Sequence, residues 1–214
     1  MKRSGGLISG RIPGRSAELN LEACVELLGE SMGFEDVEPE AREELARRSF
    51  SRRFEKGEYI FHEGDPPDYF HVVAEGRVRV SGLTVSGKRF TAVVADRGNT
   101  LNAVVLFDAV PRFLSAQTMD EAIVLFTPRQ DFLDFVMEYP KAAVNIIVIL
   151  GRLVQSAYKR TMDIMEERAE QRIINVLFVL FKRFGVTLKF TNKEIADLAG
   201  TTTETAIRTM RNLR

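Results

Sequence analysis

The sequence predicts an α+β chain: an antiparallel β-roll of double-stranded β-helix (jelly-roll) type, then one long helix, then a small helical domain at the C-terminus. Three observations predict it. From Phe50 onward, short β-rich runs are cut by Gly at close intervals. After Pro140 a helical apolar pattern continues unbroken to Glu167. The last stretch, TNKEIADLAGTTTETAIRTMRNLR over 191–214, reads as two short helices around a Gly turn.

Composition sets the bounds. A chain of 214 residues accommodates one large or two small domains, and 45% hydrophobic residues are enough for a real core. Acids and bases balance at 30 each, so total charge carries no information about partners. Their distribution does: residues 172–214 hold eight Lys/Arg against three Asp/Glu, which leaves the remainder net acidic by five. A basic C-terminal module suits phosphate contact. A single cysteine, Cys24, rules out an internal disulfide, a Cys-based zinc site and a four-Cys iron–sulfur cluster. In its helix it has no basic neighbour to activate it, so it reads as a small buried apolar residue. The longest apolar run, 142–150, is too short to cross a membrane, and the opening MKRSGGLISG lacks a sustained apolar segment. A cytoplasmic protein is expected. Gly-x-Ser-x-Gly, a Walker loop and His-Glu-x-x-His are all missing, so the residues point to no enzyme. The acidic runs 35–44 and 163–170 read as solvated helix faces.

In chain order, residues 1–17 are rich in Gly, Arg and Ser and are expected to be poorly ordered. A helix is predicted over 19–32, with Leu21, Val25 and Leu28 on one face. Another follows over 37–49, where Pro39 suits the first turn, acids come early and Arg47-Arg48 late. Then come the β-rich runs, punctuated by Gly57, Gly64, Gly76, Gly82 and Gly87. Val78 and Val80 alternate with Arg77 and Arg79, the pattern of a half-exposed strand. Many short strands with Gly turns form a small barrel or jelly roll. The long helix covers 141–167. Ala143, Ile147, Leu150, Val154, Ala157, Thr161 and Ile164 give it an a/d seam, and Ile146, Ile149 and Leu153 broaden the stripe. The seam fits pairing with a second chain while the broad stripe also packs on the roll; burial within a monomer is the alternative. A hinge is expected at 166–170, a helix over 172–184 ended by Gly185, and a short strand over 186–190.

In the C-terminal pair, Thr191 and Glu194 have capping-box spacing, Ile195 and Leu198 give an apolar side, and Gly200 closes the first helix. The Thr201-Thr202-Thr203 run offers hydroxyls to cap the second. Ala206, Ile207, Met210 and Leu213 are placed for burial, with Glu204, Arg208 and Arg211 elsewhere on that helix. This is the helix-turn-helix pattern, whose second helix enters the DNA major groove. The DNA-contact candidates are Thr191, Thr202, Thr203, Glu204, Thr205, Arg208 and Arg211. A carboxylate accepts from cytosine N4, and Arg donates twice to guanine O6 and N7. Two caps remain open. With Thr202 as cap, Glu204 is free to read a base; with Thr201 as cap, Glu204 is its capping-box partner.

ETAIRTM, with Glu204, Thr205 and Arg208, resembles the recognition helix of the CRP/FNR superfamily of bacterial transcription regulators. FEKGEYIFHEGDPPDYFHVVAEGRVRV, from Phe54 to Val80, is similar to the first half of that family's cyclic-nucleotide-binding-type roll, with Gly57, Gly64 and Gly76 at its turn glycines. TPRQDFLDFVMEYP resembles the exit from the roll. The resemblance covers roughly 37–214. It implies an N-terminal extension over 1–36, an effector-sensing roll over 37–140, a dimerisation helix over 141–167 and a winged-helix-type DNA-binding domain over 168–214, whose wing this sequence does not include. It further implies an effector-gated homodimer on a pseudo-palindromic DNA site, with a small-molecule effector and RNA polymerase as partners and no membrane association. In cAMP-responsive members an additional base-reading Arg stands where Thr203 stands here.

The resemblance also implies an effector set of Asn102, Ala103, Arg112, Phe113 and Tyr158. Here the chain departs from the family pattern. Asn102-Ala103 stands for the Gly-Glu that meets phosphate and ribose, Phe113 for the small hydroxyl residue after Arg112, and Ala157-Tyr158 for an adenine-reading Thr-Ser pair. Losing those partners would leave nucleotide polar groups unpaired at ~1–3 kcal/mol each, so an effector other than cAMP is expected; a cyclic-nucleotide- or haem-sensing member is the alternative. Arg112 could hold an anion or a surface carboxylate. His62 and His71, the two histidines, are the candidate haem ligands, against the reading of packed or exposed strand histidines. A ligand-binding domain without DNA binding, as in a channel or kinase, is the remaining class, disfavoured by the recognition-helix pattern.

Overall fold

The computed structural model describes residues 18–34, 36–85, 87, 89–101 and 103–213. The expectation for 1–17 lies outside them. Helix α1 (Leu21–Glu30) starts later than the sequence suggests because Asn20 caps it, its side chain accepting from the Ala23 N–H at 2.8 Å. Helix α2 (Pro39–Arg47) begins on its proline, whose missing N–H costs nothing in a first turn. It carries Glu43–Arg47 and Glu44–Arg48 pairs along its surface.

Among the described residues, seven antiparallel strands follow in two sheets. One has the order β1 (Phe50–Phe54), β7 (Ala122–Pro128), β3 (Tyr69–Glu75); the other has β2 (Tyr59–Phe61), β6 (Ser115–Thr118), β4 (Val78–Leu83), β5 (Arg89–Ala95). Helix α3 (Val105–Asp108) lies between β5 and β6. The reading of β4 as half-exposed holds: Val78 and Val80 are buried while Arg77 and Arg79 are partly exposed. Strand β7, AIVLFTP, lacks alternation because it is the central strand of its sheet and is buried on both faces. Its Val124 and Phe126 join Phe54, Phe61, Val73, Val78 and Val80 between the sheets. Phe50 and Phe54 stack on Phe126 at 5.2 and 6.0 Å. Each such side chain contributes ~1.5–3 kcal/mol on burial. The β3–β4 turn needs Gly76: its φ is +77°, and a Cβ there would stand 2.2 Å from the Glu121 carbonyl oxygen.

A second core lies between the roll and the helices. Phe34, Phe70, Phe132 and Phe135 form its centre, with Phe70 and Phe132 stacked at 4.1 Å. Cys24, Leu27 and Leu28 of α1 enter this core, so the described part of residues 1–36 packs as part of the roll domain. Helix α4 (Arg129–Glu138) leads into α5 (Pro140–Glu166), 27 residues long. Ala142 and Ile146 of α5 are buried in the same core, Ala143 and Leu150 pack partly against it, and Asn145 donates to the Gly33 carbonyl at 3.1 Å. The uncovered large apolar residues of the helix are Val144, Ile147, Val148, Leu153, Val154, Tyr158, Met162, Ile164 and Met165. Of the a/d seam read in the sequence, Ile147, Val154, Ala157, Thr161 and Ile164 are exposed, while Ala143 and Leu150 pack partly on the roll. A stripe apolar on both sides cannot announce which side its own domain takes.

Helix α6 (Ala169–Phe184) follows a break at Glu167-Arg168, both extended, inside the expected hinge. Gly185 ends it, as predicted. The strand expected over 186–190 is absent: the segment is irregular, and no neighbouring strand among the described residues pairs with it. Its apolar residues do other work. Phe190 packs on the small C-terminal core and meets Phe184 at 5.5 Å. Helices α7 (Asn192–Ala199) and α8 (Thr203–Asn212) complete the chain. No helix among the described residues is long and apolar enough to cross a membrane.

Candidate nucleic-acid interface

The capping box opens α7 as its spacing predicts. Thr191 Oγ1 accepts from the Glu194 N–H at 3.2 Å, and Glu194 Oε2 accepts from the Thr191 N–H at 2.7 Å. Gly200 closes the helix in the left-handed conformation, φ +63°. Two residues later Thr202 caps α8, its hydroxyl accepting from the Thr205 N–H at 3.2 Å. Of the two caps left open by the sequence, the structure has Thr202.

Ile173, Ile195, Ala196, Ala199 and Ala206 lock the two helices against α6. Ala206 and Thr209 face this core and Met210 packs at its edge, which turns Glu204, Ile207, Arg208 and Arg211 outward. Ile207 and Leu213 are therefore corrections, since both are exposed. Residue 207 lies about 100° around the helix from 206 and cannot share its burial. Thr209 takes the inward place instead.

The outward strip is a cation pair with one acid. Arg208 lies 4.0 Å from Glu170 across open surface, a contact of little energy. The Glu204 carboxylate turns back on the first turn of α8. Its own backbone N–H and the Thr202 hydroxyl hold it below the usual carboxylate range. Thr203 is half-buried, and Thr205 exchanges a hydroxyl contact with Thr202 at 3.1 Å. Thr191 is exposed at the start of α7. The DNA candidates thus gather at the N-termini of α7 and α8 and along one side of α8.

The effector candidates are not gathered in this way. Asn102 lies outside the described residues. Ala103 packs against the helix-side core, and its carbonyl accepts from Leu106. Phe113 and Tyr158 are exposed. Arg112 turns inward, 2% exposed. Its Nη2 donates to the Tyr69 carbonyl at 2.7 Å and its guanidinium lies 4.0 Å over the Phe61 ring. Burial pushes it down to about 10, against the pull of Asp65 and Asp68. Beside it His71, also buried, is held neutral by desolvation and by the Arg112 charge. Neither Arg112 Nη1 nor His71 Nδ1 has a partner among the described residues. This buried pair was not legible in the sequence, where nothing near Arg112 indicates which way its side chain turns.

The His71 ring is too enclosed to meet a haem. Phe126 and Phe61 crowd the His71 ring at 4.7 and 5.3 Å, and His62 sits exposed on a turn, stacked on Tyr59 at 4.2 Å. No group of three metal-ligating side chains occurs among the described residues.

The C-terminal unit docks on the roll. Arg77, held by Asp120 at 2.7 Å, donates to the Lys189 carbonyl at 3.0 Å and lies over the Phe190 ring. Arg183 pairs with Asp96 and Asn99. Arg160 of α5 donates to the carbonyls of Ala92 on β5 and Leu198 on α7.

Comparison with known proteins agrees with this architecture. Residues 51–139 match the cyclic nucleotide-binding domain family, and residues 171–214 match the Crp-like helix-turn-helix domain family. The cyclic AMP receptor protein of Thermus thermophilus is 29% identical over 172 residues, covering 79% of this chain and 80% of its own. The CRP-like cAMP-activated global transcriptional regulator of Mycobacterium tuberculosis is 25% identical over 188 residues, 84% of each. Among solved structures, the Thermus thermophilus catabolite activator protein superposes with a TM-score of 0.59 at 26% identity, covering 86% of each chain. The c-di-GMP responsive global regulator of Xanthomonas campestris reaches 0.72 at 17% identity, covering 82% of this chain and 91% of its own, a likeness of fold. With a nucleotide-binding-type roll followed by a Crp-like helix-turn-helix in one chain, this protein belongs to the CRP/FNR superfamily of bacterial transcription regulators.

Proposed function

We propose that the chain is a homodimeric, effector-gated regulator that binds a pseudo-palindromic DNA site and acts on RNA polymerase. The observation that carries the reading is the outward strip Glu204, Arg208 and Arg211 on a capped helix whose opposite face is fixed in a core. Paired through α5, two such helices would enter successive major grooves ~34 Å apart. Arg208 reads a guanine in this scheme. Glu204, two positions after the Thr202 cap and so not its capping-box partner, is free to accept from a cytosine N4. Site selection from random duplexes is the test. Arg208→Ala should cost ~1–3 kcal/mol on the cognate site and flatten discrimination at one guanine. Glu204→Gln should relax the preference at one cytosine; an unchanged site would confine Glu204 to a role at the helix end. An unchanged site for Arg208→Ala would overturn α8 as the recognition helix.

The effector is not cAMP in this proposal. Ala103 offers no carboxylate to a ribose, and Arg112 is committed to Tyr69 and Phe61 rather than to an open phosphate position. The names of the relatives support the opposite reading, a cAMP-responsive member, and calorimetry separates the two. No heat of cAMP binding is expected at micromolar concentration; clear saturation would favour the relatives' ligand.

A further inference from the structure

A cavity of about 400 Å³ lies where roll, long helix and helix-turn-helix unit meet, bounded by β5, α5, α6 and α7. Its apolar walls are Val93, Ile164, Val176, Val179, Leu180 and Leu198. Its charge is mostly positive and only partly neutralised. Arg183 is satisfied by Asp96, and Asp163 is the single carboxylate of the lining. Arg172 donates to the Ala199 and Glu167 carbonyls, at 3.1 and 2.7 Å. Arg160 donates to the Ala92 and Leu198 carbonyls and lies 4.6 Å from the Phe90 ring centre. Among the described residues no carboxylate pairs with either Arg160 or Arg172, and burial depresses the Arg160 guanidinium. Two cations whose partners are carbonyls and a ring thus border an apolar hollow. A carboxylate on an apolar tail supplies what each part lacks: a counter-charge for the arginines and dispersion contacts for the valine and leucine walls.

We propose that this interdomain cavity is a second ligand site, distinct from the interior of the roll, for an organic anion with an apolar body, of the class of medium-chain carboxylates. A ligand there touches all three parts of the chain at once, so it biases how the DNA-binding unit sits on the roll.

Isothermal titration of the full chain with decanoate tests the idea. Decyltrimethylammonium serves as the same tail with reversed charge, and inorganic phosphate as the anion without a tail. Decanoate should bind once per chain, at least tenfold tighter than either control. Val179→Trp, at a half-open wall position that tolerates bulk, should remove that binding. Arg160→Gln and Arg172→Gln should each weaken it about tenfold. Equal binding of the cationic tail, phosphate binding as tight as decanoate, decanoate binding untouched by Val179→Trp, or no binding at all would each overturn the site. DNA affinity does not enter these readouts, so a failure of the proposed operator recognition leaves them interpretable.

Discussion

His71 and Arg112 sit side by side in the roll, each 2% exposed, each with one nitrogen lacking a partner among the described residues. Their enclosure has a pH signature. Burial and the Arg112 charge keep the His71 imidazole neutral to well below 6.5, whereas in the unfolded chain it protonates near 6.5. The unfolded state therefore binds more protons below that pH. The contribution of neutral His71 is complete above about 6.5 and is lost as pH falls through it. Wild type should lose ~1 kcal/mol more stability than His71→Phe between about pH 7.5 and 5.5, as read by urea denaturation at both pH values. An equal loss in the two proteins would mean that the ring is reached by solvent. At this scale the sequence was informative where a residue acts on its neighbours in the chain. The Thr191–Glu194 box and the Gly185 and Gly200 stops follow from spacing alone. Arg112 follows from its surroundings in space, Tyr69 and Phe61, which lie 43 and 51 positions earlier.

Among the elements, α5 shows where periodicity stops being informative. Its length and its start at Pro140 were legible, because the apolar pattern runs unbroken and proline opens a helix well. Its orientation was not, because both sides of the stripe are apolar, and only Ala142 and Ile146 are buried in this chain. Ile147 at 66% and Tyr158 at 69% exposed mark its uncovered face, the one the proposed pairing would use. Replacing Ile147 and Val154 by Glu places like charges opposite one another in a paired seam. The double variant should sediment as a monomer, with the helical content of the wild type; sedimentation as a dimer would place the contact elsewhere. The segment 186–190 teaches the converse. Its β-favouring residues form no strand because strand formation needs a partner, and its apolar side chain is claimed by Phe184 and Arg77.

For the whole molecule, the two modules and their order were readable from local patterns, while their mutual placement was not. Arg77 and Lys189 are 112 positions apart, and nothing in either stretch advertises the other. The docking is made by arginine side chains on backbone carbonyls and surface carboxylates. These links between roll and helix-turn-helix unit are polar, and those of Arg160 and Arg183 flank the apolar hollow walled by Val93, Val176 and Leu198. The uncovered stripe of α5 carries a further consequence at this scale, one of abundance. If folding and pairing are linked, the melting temperature belongs to a concentration as much as to a sequence. Each tenfold dilution should remove ~1.4 kcal/mol from the associated state. Calorimetric scans across a hundredfold range of protein should therefore show the transition moving down on dilution in the wild type and standing still in the Ile147→Glu, Val154→Glu variant. A cell holding few copies of this chain would carry it partly as single subunits with Val144, Val148 and Met165 bare. Copy number would then set the regulator's lifetime against proteases as well as its occupancy of DNA.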